Sequence, residues 1–128
     1  MAGSVAGIAV KDGRFFIAQR KAGGDLGGKW EFPGGKVEQG ESDEEALRRE
    51  YLEEFGVLVQ TGPFLGSASF EHHGRTHIVN AYRVRLPGGD LTLHEHIRWR
   101  WADLEEIKTL DFAGSDLKLL PALREVRG

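Results

Sequence analysis

Five charged side chains at fixed intervals could do chemistry in this chain: Glu41, Arg49, Glu50, Glu53 and Glu54. The segment after Ser42 has the composition and length of a helix. At about 100° per residue, Ala46, Leu47, Glu50, Tyr51 and Glu54 fall on one face, with Glu53 at its flank. Carboxylates four residues apart repel each other, and burying them unpaired in an apolar stripe costs several kcal/mol. A cation in the site removes that cost. Oxygen-only ligands favour a hard ion, Mg²⁺ or Mn²⁺, over zinc. The alternative is a solvated acidic helix laced by arginine pairs, of which Arg49 with Glu53 is one. Leu47 and Tyr51 on the carboxylates' own face argue against it.

Such a helix needs fixed ends. Pro33-Gly34-Gly35 ahead of it predicts a tight turn where backbone approaches a ligand or metal closely. Gly56 follows Phe55 where a helix C-terminal glycine is expected. Upstream, residues 5–10 read as a strand, and Lys11-Asp12-Gly13 as a hairpin turn into a second strand over 14–19. Residues 23–28 hold four glycines in six positions and read as a flexible loop. Residues 30–32 form a short strand leading into the glycine turn. Downstream, residues 57–60, 65–70 and 76–86 read as extended, with a turn at His72-His73-Gly74. A turn at 87–90 precedes a short strand over 97–101. Helices are expected over 102–107 and 116–126, with Asp116 as the N-cap of the last. There is no repeat, low-complexity segment or linker. The pattern predicts a mixed sheet packed between helices, α+β in class.

The chain has 128 residues, the size of one domain, 1–128. Its apolar content of 40 % supports one core. A net charge of −3 gives no general affinity for a nucleic acid backbone, so no stable nucleic-acid binding is expected. There is no cysteine, hence no disulfide and no thiolate metal site. The first ten residues lack the basic region of a signal peptide, and no run approaches membrane-spanning length. A cytoplasmic protein with no membrane partner, monomeric or homodimeric, is the simplest expectation.

Residues 35–57 closely resemble the signature box of the Nudix hydrolases. That box reads Gly, five residues, Glu, seven residues, Arg-Glu, an aliphatic residue, any residue, Glu-Glu, any residue, Gly, an aliphatic residue. Gly35, Glu41, Arg49, Glu50, Glu53, Glu54, Gly56 and Val57 match it. Tyr51 departs, standing where an aliphatic residue is usual. That position faces the core, so its hydroxyl needs a partner. The resemblance implies an α/β/α sandwich with the box as a loop–helix–loop beside a mixed sheet. It assigns metal binding to Glu50, Glu53, Glu54 and the carbonyl of Gly34, with Glu41 nearby and Arg49 holding a catalytic carboxylate by an ion pair. The implied reaction is metal-assisted hydrolysis of a nucleoside diphosphate linked to another group, with water attacking phosphorus. Glu53 and Glu95 are both candidates for the general base.

The likeness extends to the MutT-type members, which convert nucleoside triphosphates to monophosphate and pyrophosphate. FFIAQR, KWEFPGGK, Arg75, the HEH segment with Glu95 and DFAGSDLKLL occur in the order and at the spacings of that group. They imply Arg20 and Lys36 near phosphate, Glu95 near the metal, and Arg75, Phe32 and Asp116 near the base. The expected substrate is a small nucleotide, with oxidised nucleotides such as 8-oxo-dGTP or cytidine nucleotides as candidates, in a nucleotide-sanitation role with Mg²⁺ or Mn²⁺. ADP-ribose, dinucleoside polyphosphates and RNA 5′ ends are alternatives. A non-catalytic sensing module is a further one, which the intact glutamates argue against. Each outer residue also has a plainer reading. Arg20 could be a surface charge, Phe32 plain core beside Trp30, Arg75 and Glu95 solvated, and Asp116 only a cap. One at least of Trp99 and Trp101, alternating on a strand, is expected in the core. The histidines at 72, 73, 77, 94 and 96 suggest zinc, but no cysteine or defined third ligand accompanies them.

Overall fold

The turn and helix that carry the acidic residues are held by β1 (Ala2–Ile8), an inner strand of the first of two sheets. The computed structural model describes residues 2–128. Along the chain follow β2 (Val10–Lys11), β3 (Arg14–Arg20), β4 (Trp30–Glu31), β5 (Gly34–Lys36) and α1 (Asp43–Phe55). Then come β6 (Gln60–His72), β7 (Arg75–Arg85), β8 (His96–Ala102), α2 (Leu104–Lys108), α3 (Gly114–Leu117) and α4 (Leu120–Leu123). The first sheet has the order β5-β1-β7-β6; β1 runs parallel to β7 and antiparallel to β5, so the sheet is mixed. In the second, β3 pairs antiparallel with β2, β4 and β8.

Side-chain alternation explains the layering. Ala6 and Ile8 of β1, with Phe15 and Ile17 of β3, face a core closed by Ile107, Leu119, Leu120 and Leu123. Val5, Phe16 and Ala18 face the opposite core, closed by Ala46, Leu47, Tyr51 and Phe55 of α1. Strands buried on both faces, with helices outside, give the α/β/α sandwich. Among the described residues no helix is long and apolar enough to cross a membrane.

Several boundaries differ from the sequence expectation. The first strand ends at Ile8, and β2 begins separately at Val10. Residues 57–59 are not strand: Val57 and Val59 bury their side chains without joining a ladder. β6 runs well past the expected 65–70, with irregular register between Thr61 and Gly66, around Pro63, which has no N–H to donate. The helix expected over 116–126 breaks into α3 and α4, the second starting at Leu120 with Pro121 in its first turn. Asp116 is not an N-cap. It lies inside α3, whose capping position is Ala113, and its carboxylate turns inward instead.

Candidate active site

Local signals set the ends of α1. Ser42 Oγ accepts from the Glu45 N–H at 3.1 Å and Glu45 Oε1 accepts from the Ser42 N–H at 2.8 Å, a reciprocal capping box. Gly56 closes the helix at φ 70°, its N–H donating to the Leu52 carbonyl at 2.9 Å. The inward face holds Ala46, Leu47, Tyr51, Glu54 and Phe55. The Tyr51 hydroxyl donates to the Gly7 carbonyl at 2.8 Å, and its ring lies where a Gly7 side chain would be. The unusual tyrosine is therefore satisfied by a glycine on β1.

The carboxylates sit at graded depth. Glu54 is buried, Glu50 is nearly so, and Glu53 is 58 % exposed at the flank. Arg49 organises them. Its Nε and Nη2 donate to the two oxygens of Glu41 at 2.7 and 3.0 Å. Its Nη1 donates to Glu50 at 2.8 Å and to Glu53 at 3.2 Å, and Nη2 also donates to the Lys36 carbonyl at 2.9 Å. Bonds to Arg49 hold the Glu41 carboxyl below its ordinary range. The glycine turn is required by contact. A Cβ on Gly35 would lie 2.7 Å from the Glu50 carboxyl carbon, and one on Gly34 would fall 2.0 Å from the Val5 carbonyl oxygen.

Burial pushes the Glu54 carboxyl up to about 11, helped by a hydrogen bond shared with Glu50 and by the charges of Glu31 and Glu50. Its Oε1 has no hydrogen-bond partner among the described residues. Clustered carboxyl groups, one with an orphaned buried oxygen, fit a divalent cation as the missing partner.

Two residues in this cluster were not singled out as functional from sequence. Glu31 of β4 accepts from Arg20 Nη1 at 3.3 Å and lies 2.8 Å from His96 Nε2. His96 Nε2 is also 4.0 Å from Glu54 Oε1. Glu31, Glu54 and His96 thus form a buried group with metal-ligand chemistry. A charged residue between the buried Trp30 and Phe32 was the available signal for Glu31. His96 appeared in sequence only as one of several histidines.

The other expected site residues are placed as follows. Arg20 joins the cluster through Glu31. The Phe32 ring packs between Phe15 and Phe112, centroids 6.3 and 5.2 Å away, so its side chain is core. Its backbone N–H donates to Asp116 Oδ2 at 3.0 Å. Burial pushes the Asp116 carboxyl up to about 7, with the Glu31 charge adding to it. Lys36 and Arg75 are exposed. Glu95 is half exposed and pairs with Lys21 at 3.8 Å, apart from the Glu31–Glu54–His96 group. Trp99 and Trp101 both contact Phe16, centroids 5.6 Å away. They line a separate cleft of about 830 Å³ with Lys11, Arg83 and Arg85, which none of the carboxylates of α1 enters.

Comparison with known proteins agrees with this geometry. The NUDIX domain matches residues 1–123. The chain is 40 % identical over 123 residues to the CTP pyrophosphohydrolase of Escherichia coli K12, covering 96 % of this chain and 91 % of that protein. It is 32 % identical over 118 residues to the oxidized purine nucleoside triphosphate hydrolase of Danio rerio, covering 91 % and 75 %. The solution structure of the E. coli ORF135 protein superposes with a TM-score of 0.84 at 39 % identity, covering 99 % of this chain and 93 % of that one. The chain belongs to the NUDIX family. It is a MutT-like hydrolase, and enzymes of this family generally use a divalent metal.

Proposed function

We propose that this enzyme hydrolyses nucleoside triphosphates, cytidine nucleotides foremost, to monophosphate and pyrophosphate with Mg²⁺ or Mn²⁺. The observation that carries the reading is the placement of Glu31. It lies beside Glu54 and His96 and adds its charge to that felt by Asp116. One acidic strand end therefore links the cation-demanding helix to a buried hydrogen-bonding carboxyl. A nucleotide laid across it has its phosphates at α1 and its base at Asp116.

Glu50, Glu53, Glu54 and the Gly34 carbonyl would hold the metal. A bound divalent ion neutralises phosphate oxygens and lowers the pKa of an attacking water. Arg49 fixes the Glu50 and Glu41 carboxylates so that little reorganisation is needed at the moment of reaction. Glu53 is the better-placed base, because it lies on α1 one residue from the buried Glu54, whereas Glu95 lies apart from the buried Glu31–Glu54–His96 group. Arg20 and the exposed Lys36 supply positive charge for the phosphates, and Arg75, exposed at the β6–β7 turn, keeps the place near the base that the resemblance implies. Ionised Asp116 accepts a hydrogen bond and suits the exocyclic amine of cytosine. The name of the E. coli relative supports this choice.

A second reading, oxidised purine nucleotides, is favoured by the Danio rerio relative and by the Asp116 carboxyl lying near 7. Once protonated, it donates as well as accepts, which suits a mixed edge such as that of oxidised guanine. A cytoplasmic nucleotide pool is the setting for either. The test is a panel of normal and oxidised nucleoside triphosphates, ADP-ribose and dinucleoside polyphosphates with Mg²⁺, products identified by mass. Turnover of CTP to CMP and pyrophosphate supports the proposal. Preferred turnover of ADP-ribose or a dinucleoside polyphosphate refutes it.

A further inference from the structure

His96 is the most completely enclosed polar side chain of the cluster, at 0 % exposure. Three contacts fix it. Its Nε2 is 2.8 Å from Glu31 Oε2 and 4.0 Å from Glu54 Oε1. Its ring stacks flat on Phe55, centroids 5.1 Å apart and planes 9° from parallel. Phe55 is the residue after Glu54, so the imidazole rests on the same helix turn that carries the buried carboxyl. The segment before it is pinned too: the Thr92 N–H donates to the Phe55 carbonyl at 3.0 Å, and the His94 N–H to the Glu54 carbonyl at 3.2 Å. β8 enters the sheet at His96 through a register shift opposite Arg20, which carries the other donor to Glu31.

We infer that His96 is a positioning residue. Locked on Phe55, it donates Nε2–H to Glu31 and so holds that carboxylate beside Glu54, setting the two oxygens for the divalent ion. This rests on the metal-helix reading above and assigns a role to a residue that the box does not contain. Arg20 alone cannot fix Glu31, because it is one-third exposed and reaches it with a single contact at 3.3 Å. A lysine in place of His96 would bring a mobile full charge against Glu54 and compete with the cation. A flat ring with one edge donor fixes direction instead, as outer partners of metal ligands do.

The test compares His96→Gln, which keeps an N–H donor, with His96→Leu, which keeps bulk but has none. Mn²⁺ affinity is read by EPR of the free ion, without nucleotide. The expected loss in His96→Leu is ~10-fold or more, the scale for removing an outer partner. His96→Gln should recover most of it. With nucleotide, kcat of His96→Leu should fall while KM stays within about threefold. Glu31→Gln removes the carboxylate that His96 is inferred to hold, so adding His96→Leu to it should cost no further Mn²⁺ affinity. That arm relies on His96→Leu only as a second change, and urea unfolding of each variant shows which are folded. Should His96→Leu not fold, His96→Gln and Glu31→Gln decide: near-parental affinity in the first and ~10-fold loss in the second support the inference, and any other pairing overturns it. Equal Mn²⁺ affinity in parent, Gln and Leu variants overturns it, as does equal loss in both His96 variants. Nitrogen hyperfine coupling from His96 to bound Mn²⁺ also overturns it, by making the ring a ligand. Absence of Mn²⁺ binding in the parent overturns the metal reading and this inference together.

Discussion

The Glu50 carboxylate occupies the space that any side chain on Gly35 would need, with its carboxyl carbon 2.7 Å from where a Cβ would stand. The glycine turn is thus a contact surface for a metal-binding candidate as well as a bend in the chain. Gly35→Ala should displace Glu50 and lower kcat by ~10-fold or more, approaching the ~10²-fold that about an ångström of misplacement can cost. The Mg²⁺ concentration for half-activation should rise. Parental kcat and Mg²⁺ dependence in Gly35→Ala would contradict this contact.

Glu54→Gln and Glu50→Gln should each lower kcat by ~10²-fold or more at saturating Mg²⁺. Stability should move the other way. Without metal, folded Glu54 holds its proton up to about 11, while the unfolded group releases it near 4.5. The folded state therefore binds more protons across that window, and stability falls as pH rises through it. Glu54→Gln lacks this loss. In EDTA its melting temperature relative to the parent should climb from pH 5 to pH 9, and a flat difference would contradict the buried charge cluster.

Asp116 predicts a pH-dependent base preference. Its carboxyl is pushed up to about 7, so it is an acceptor above that pH and also a donor below it. At pH 8.5 the kcat/KM ratio of CTP to UTP should reach ~10-fold or more, the scale of one mismatched polar contact. The ratio should shrink at pH 5.5, and Asp116→Asn should flatten the dependence while leaving the metal requirement intact. The same variant should gain stability at pH 8 relative to pH 4, because ionised Asp116 is buried at a cost that falls away as pH drops toward 3.8. A pH-independent ratio, unchanged in Asp116→Asn, would leave Asp116 a purely structural residue.

Tyr51→Phe tests packing separately from chemistry. It removes the donor to the Gly7 carbonyl and leaves a buried acceptor unpaired, at a cost of about 1–3 kcal/mol. Urea unfolding should show that loss, with kcat near the parental value.

The helix and its chemistry were legible because they are local. Gly56 sits within the same segment as Glu50 and Glu54, and the spacing of the two glutamates speaks through helical periodicity. What escaped depends on distant partners. Tyr51 is satisfied by a residue 44 positions away, and His96 meets Glu31 across 65 positions. No local period encodes either contact. Asp116 looks like a cap only if 116–126 is one helix; the chain instead forms α3 from Gly114 and α4 from Leu120, with Pro121 in the first turn of the second, and the Asp116 carboxylate accepts from the Phe32 N–H. Glu95 stands between two histidines in sequence, but the buried member of that trio is His96.

For the proposed hydrolysis to monophosphate and pyrophosphate, the MutT-type resemblance points to metal-dependent attack of water at the β-phosphorus. Its most direct test is hydrolysis of CTP in ¹⁸O-water with Mg²⁺, products resolved by mass. The account predicts unlabelled CMP and pyrophosphate carrying one ¹⁸O, with turnover abolished by EDTA. CDP with orthophosphate as the first products, label in CMP, or turnover that survives EDTA would contradict it.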